Sequence, residues 1–240
     1  MDVLKTVISE LIIFFTGILA SIGGFGGSAV RFPLMAATLG IASAKSVMNI
    51  VTISNGGFIL ANSYKEVNWK EFFKIFSLFA VGELLGLWIC SVVKAEAILL
   101  KGFGLFLTVM GIYMLVSRKE LNLPSFVLIM ILFVSGVIHG MYLSGGVVTS
   151  IYAVQKLKKK EEFRATLNLV WFAAAFLQLP VYIRAGNYTK DILWIIVLSI
   201  IPLYLATKLG GNIVRKIKQE SFVKFIYILL IVLGILTVLK

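Results

Sequence analysis

Gly23-Gly24-Phe25-Gly26-Gly27-Ser28 interrupts an apolar run where a membrane helix would otherwise continue, and a partial copy, Ser144-Gly145-Gly146, interrupts a second run. Glycine costs about 1 kcal/mol relative to alanine inside a helix and leaves backbone amides uncovered. Four glycines in the five positions 23–27 therefore mark a deliberate opening. Inside a bilayer such an opening has to line a cavity or be covered by protein. The chain reads as two membrane repeats, 1–120 and 121–240, built around these breaks and combined in one transmembrane domain.

Composition fixes the class. Of 240 residues, 60% are hydrophobic and 14% charged, and the mean hydropathy is +1.00. Apolar spans of about 20 residues, enough to cross roughly 30 Å of hydrocarbon, recur from end to end. The span over 4–22 is long for a secretory signal and runs into the glycine break, not a cleavage site, so it reads as a membrane helix. The net charge of +12 sits mostly between the spans. It points to topology and to anionic lipid headgroups, with a smaller share for an anionic substrate and none for nucleic acid. One cysteine, Cys90, and one histidine, His139, fall short of a metal-ligand set, and no cofactor is expected.

Long spans are expected at 4–22, 42–63, 72–93 and 97–116, and again at 124–143, 163–183, 192–214 and 222–239. Each half adds a short arm after its break, at 29–39 and 147–157, too short to cross alone and suited to return as a hairpin. The stretch 156–164 carries five basic residues against Glu161 and Glu162 and is the best candidate for a cytoplasmic loop.

A shift of 119 positions lays the halves on one another without a gap: Gly17 on Gly136, Gly26 on Gly145, Gly27 on Gly146, Lys45 on Arg164, Asn49 on Asn168 and Asn68 on Asn187. Near the ends the shift becomes 123, bringing Lys101 onto Lys224 and Gly111 onto Gly234. Glycines, amides and basic residues coinciding in one register signify an internal duplication, a common plan for secondary transporters. Counting the arm makes each half odd, and an inverted second half assigns more basic residues to the cytoplasm than a parallel one. The expected fold is thus an all-α polytopic membrane protein of two inverted repeats, each with four long helices plus a glycine-broken hairpin or half-helix arm.

The run Gly23 to Gly27 followed by Pro33, together with Phe163-Arg164-Ala165-Thr166-Leu167-Asn168 after the second break, resembles the sulfite exporter family TauE/SafE over nearly the whole chain. The resemblance implies a bacterial or archaeal plasma-membrane protein that moves a small sulfur-containing anion such as sulfite or an organosulfonate. This sequence departs from that pattern at Ser144, where another glycine is common, and at Glu83 and His139, where small or apolar residues are expected.

Lys45 and Asn49 are four apart, as are Arg164 and Asn168, so each pair presents a cation beside an amide on one helix face. An anion held there would offset the unfavourable placement of a cation near a helix start; interfacial snorkelling is the other reading. The breaks, with Gly24, Gly26, Gly27 and Ser28 in one and Ser144, Gly145 and Gly146 in the other, offer bare amides to an oxyanion, or alternatively close helix packing. Either serine could instead bond a carbonyl of its own helix. Arg31, Glu83 and His139 are candidates for coupling or for lining, because ionisable groups at membrane depth are expensive and hence functional by default, and Gln178 is a polar lining candidate beside them; the other readings are that Arg31 reaches headgroups and that Glu83 and His139 are satisfied by neighbouring polar groups. Asn55 and the aromatics Trp69, Trp171 and Tyr188 are further lining candidates, with interfacial anchoring the default for the aromatics.

These features point to a secondary transporter, with export as the expected direction, working by alternating access between the repeats. A channel for the same anions is the nearest alternative. An ion gradient, through proton or ion coupling, or the substrate's own gradient has to supply the energy, since no Walker-type phosphate loop is present. An intramembrane enzyme is disfavoured: five residues separate His139 from Ser144, about 500° of helical rotation, which leaves them on different faces.

Overall fold

The computed structural model describes residues 3–23, 27–93, 95–116, 123–213 and 219–239. Gly24 and Gly26, two of the expected site residues, lie outside them. The described residues form ten α-helices and no strand. The first half holds α1 (Val3–Gly23), α2 (Gly27–Leu39), α3 (Ile41–Ser63), α4 (Trp69–Val92) and α5 (Glu96–Val116). The second holds α6 (Ser125–Tyr142), α7 (Gly146–Lys156), α8 (Lys160–Arg184), α9 (Lys190–Ile213) and α10 (Gln219–Leu239). Each half thus carries one short helix, α2 with 13 residues or α7 with 11, directly after its glycine break.

Six helices, α1, α4, α5, α6, α8 and α9, are both long and apolar enough to cross a membrane. The sequence leads one to expect eight. Of the other two, α3 has 23 residues but includes Lys45, Asn49, Asn55 and Asn62, and the described side chains of α10 form an apolar stretch at Lys224–Leu239. The outward faces of the long helices expose Phe73, Trp88, Leu105, Phe126 and Ile201. In water such apolar surface would be an aggregation liability; against lipid tails it is matched to its solvent.

With no hydrophobic drive between helices in lipid, close approach of small residues decides the packing. Gly82 and Gly86 of α4 lie against the backbone of Phe133 and Val137 on α6, while Gly136 and Gly140 of α6 lie against that of Phe79 and Glu83 on α4. A Cβ at any of the four would collide with a carbonyl oxygen across the crossing. The contacts advance together along both chains, so α4 and α6 run parallel. The counterpart crossing of α1 with α9 is also parallel: Gly17 meets Leu203 and Ala206, and Gly210 meets Ile18 and Ser21. By contrast α5 and α10 run antiparallel, Gly104 lying against Gly234 and Val238 and Gly111 against Tyr227 and Ile231. The same holds for α3 and α8, with Asn49 at Ala175 and Gly56 at Phe172.

Each short helix folds back on the helix before it. A Cβ at Gly27 would stand 2.8 Å from the Thr16 carbonyl oxygen of α1, and one at Gly145 would collide with the Ser135 carbonyl of α6. Side chains clip both hairpins at one level: Arg31 Nε donates to Thr16 Oγ1 at 2.7 Å, and Thr149 Oγ1 to Ser135 Oγ at 2.9 Å. Tyr152 of α7 also donates to Glu71 Oε2 of α4 at 2.8 Å.

Candidate functional site

Where the two hairpins meet, α2 and α7 start on a cavity of about 50 Å³ lined by Gly27, Ser28 and Arg31 of α2, Gly146 of α7, Thr52, Asn55 and Gly56 of α3, Asn168 and Trp171 of α8, and Ala20, His139 and Leu143 beside the breaks. One water needs about 10–15 Å³ measured in this way, so a few waters or a compact oxyanion fit. Leu143 ends α6 in the left-handed region at φ 53°, uncommon for a residue other than glycine, and so turns the chain sharply toward α7.

Arg31 is the cation of this cavity. It is 3% exposed, its Nε is held by Thr16, and its Nη2 has no hydrogen-bond partner. An unsatisfied donor on a buried guanidinium costs several kcal/mol unless a ligand or water meets it. Two helix starts face the same space and add the positive ends of their dipoles. Asn168 contributes its side chain at the rim, with Nδ2 donating to the Arg164 carbonyl at 2.8 Å.

In the cavity wall, His139 stacks on Trp171, with ring centroids 5.5 Å apart, and packs against Phe79. Its Nε2 lies 3.9 Å from Glu83 Oε1, and its Nδ1 has no partner. Glu83 is fully buried; Gln178 Nε2 donates to its Oε1 at 2.6 Å, Tyr182 donates to Gln178 Oε1 at 3.2 Å, and Oε2 is unpartnered. Glu83 and Gln178 do not line the cavity themselves.

Other expected site residues lie elsewhere. Lys45 Nζ is 3.4 Å from Cys90 Sγ, and Asn49 spans from the Ala175 carbonyl to the Tyr188 hydroxyl, at 2.8 and 3.1 Å. Tyr188 sits in the connection between α8 and α9, where burial pushes its hydroxyl up to about 12, so it stays a donor to Asn49. Ser144 Oγ donates to the Tyr142 carbonyl at 2.9 Å, local turn bonding instead of ligand bonding. Arg164 lines a separate vestibule of about 660 Å³ with Lys160 and Lys208 and with the carboxylates Glu66 and Glu161, where α3 and α9 end and α8 begins. The helix α8 starts at Lys160, earlier than the sequence leads one to expect, so Arg164 is past the first turn and its conflict with the dipole is small. Cavity and vestibule follow one another along α3 and α8, and Thr207 Oγ1 donates to Asn55 Oδ1 at 2.8 Å between them.

The sequence pattern of the family described as Sulfite exporter TauE/SafE matches residues 11–237. The chain belongs to this family. A similar protein from Comamonas testosteroni, described as "Probable inner membrane transporter protein TsaS", is 25% identical over 178 residues, 72% of this chain and 73% of the relative. No solved structure matches. Together with the apolar helices, these findings make the chain a multi-pass transporter of the cell membrane and not an enzyme.

The cavity of this TauE/SafE member also contains residues that the sequence reading passes over: Ala20, Thr52, Gly56 and Leu143. The repeat register held the signal for two of them. Under the shift of 119, Ala20 falls on His139, Thr52 on Trp171 and Gly27 on Gly146, and every one of the six lines the cavity.

Proposed function

We propose that this TauE/SafE protein is a secondary transporter of a small sulfur-containing anion, sulfite or a short organosulfonate, which binds in the central cavity against Arg31. The observation that carries the reading is the unpartnered Nη2 of a buried arginine between two helix starts. Ser28, Asn168 and the amides at Gly27 and Gly146 complete a donor set suited to an oxyanion and poor for a cation. Arg164, with Lys160 and Lys208, concentrates the anion in the vestibule, and parting of Asn55 from Thr207 lets it pass inward. Lys45 and Asn49 act by holding helices, not by touching the anion.

The two halves work as inverted repeats that alternate access. Support comes from the antiparallel course of α3 against α8 and of α5 against α10, the helices that correspond under the internal register. Repeats related by an axis along the membrane normal would keep such partners parallel. The relative's description contributes transport across an inner membrane; the sulfur in the substrate comes from the family's description.

The test is counterflow in proteoliposomes loaded with sulfite or a short sulfonate. Saturable exchange that Arg31→Gln abolishes is expected. Ohmic currents without saturation would replace the carrier by a channel, and undiminished exchange in the variant would remove Arg31 from the site.

A further inference from the structure

Glu83 carries no anion-binding duty in the reading above, yet it is a carboxyl buried at mid-helix in a membrane span. Such a group is kept only where it serves something. We infer that Glu83 and His139 form a proton-carrying site coupled to the anion cavity, so that an anion crosses together with a proton; this rests on the anion-site reading.

Three observations carry it. The glycine crossing of α4 and α6 sets Glu83 and His139 at ion-pair distance, 3.9 Å, and no basic side chain other than His139 pairs with Glu83 among the described residues. Gln178 donates to Oε1 and leaves Oε2 without a partner, so one carboxyl oxygen is held and the other is open to a proton. His139 reaches the cavity on one side and Glu83 on the other, with Nδ1 unpartnered. Once a shift of the imidazole closes the 3.9 Å gap and admits a water to Nδ1, a proton taken up at Nδ1 while Nε2 gives one to Glu83 leaves the imidazole neutral and the carboxyl protonated; the reverse step returns it.

The groups facing the pair are few. From α6 there is His139 itself; from α8 there are Gln178 and, behind it, Tyr182; on α4, Cys90 stands two turns further along. Arg31 of α2 shares the cavity with His139. Negative charge bound at Arg31 therefore draws a proton to this pair, and by linkage a proton there tightens the anion by the same factor.

Two measurements on the whole chain separate this site from the anion reading. In proteoliposomes, counterflow at equal pH needs no net proton movement, whereas accumulation under an imposed proton gradient does. The wild type is expected to do both, and Glu83→Gln to keep counterflow within about twofold, under 1 kcal/mol, while losing gradient-driven accumulation. Absence of wild-type counterflow would overturn the anion reading. Wild-type counterflow with no response to the gradient, or a variant that still follows the gradient, would overturn the proton site alone. The second readout needs no anion: the acid-minus-alkaline infrared difference spectrum of the purified protein should contain a carboxyl band that Glu83→Gln removes at unchanged helicity. No band in the wild type, or the same band in the variant, would sink the proton site.

Discussion

Arg31 and Thr16 are joined across the first hairpin by a hydrogen bond of 2.7 Å, from Nε of α2 to Oγ1 of α1. This contact fixes the guanidinium plane and leaves Nη2 without a partner, on a side chain that lines the cavity. A hydrogen bond to a charged group contributes about 1.5–3 kcal/mol.

Thr16→Val removes that acceptor while keeping the shape. Anion affinity measured by counterflow should fall by about 10-fold to 100-fold, the range that corresponds to such a bond. Expression and helicity should be retained. Wild-type affinity would mean that Arg31 needs no positioning by Thr16.

At the crossing of α4 and α6, Gly136→Ala drives a methyl group into the Phe79 carbonyl. Overpacking of this kind costs about 1–3 kcal/mol. The melting temperature in detergent should drop clearly, whereas Gly211→Ala, where a Cβ meets nothing within 4 Å, should leave it unchanged or slightly raised. Equal melting of the two variants would contradict the packing assigned to this crossing.

Asn68 caps α4 by accepting from the Glu71 amide at 3.0 Å, and also ties to α8 through Glu162 and through Thr166 Oγ1 at 3.0 Å. Loss of a cap costs about 0.5–2 kcal/mol. Asn68→Ala should lower thermal stability at the upper end of that range, because it also leaves Glu162 without this partner, while the backbone bond to Thr166 is kept. Anion affinity should not change.

The sequence announces most of this architecture and only part of the site. Helix positions follow from hydropathy, so all ten helix starts and ends are read within three residues; α4, α8 and α10 each begin three residues early, because polar residues such as Lys160 and Glu161 look like loop but serve as the first turn. Gly27, Gly146, Asn168, Arg31 and His139 all reach the cavity as their types suggest. Lys45 and Asn49 do not, although the internal register pairs them with Arg164 and Asn168. The cavity lies further along α3, at Thr52, Asn55 and Gly56, while Asn49 is occupied by α8. The sequence could not reveal that Gly82 and Gly86 interlock with Gly136 and Gly140, because a small-residue spacing marks an interface without naming its partner. The meeting of Glu83 and His139 depends on that partner.

Asn49 and Asn168 correspond in the two halves but have different work. Asn168→Ala should weaken the anion, since Asn168 lines the cavity, with stability little altered. Asn49→Ala should do the opposite, since it leaves the Ala175 carbonyl and the Tyr188 hydroxyl without their partner. Paired measurements of Kd and melting temperature check both, and equal effects would refute the division.

The central claim is that Arg31 binds the transported anion, and thermal shift with sulfite and short sulfonates on purified wild-type and Arg31→Gln protein tests it most directly. A ligand that binds the folded state raises stability as RT ln(1 + [L]/Kd), about 2.7 kcal/mol at a hundred times Kd. The expected result is a saturable rise in the melting temperature of the wild type and none in a folded Arg31→Gln variant. The same rise in both proteins, or none in the wild type with any of these anions, would contradict the account.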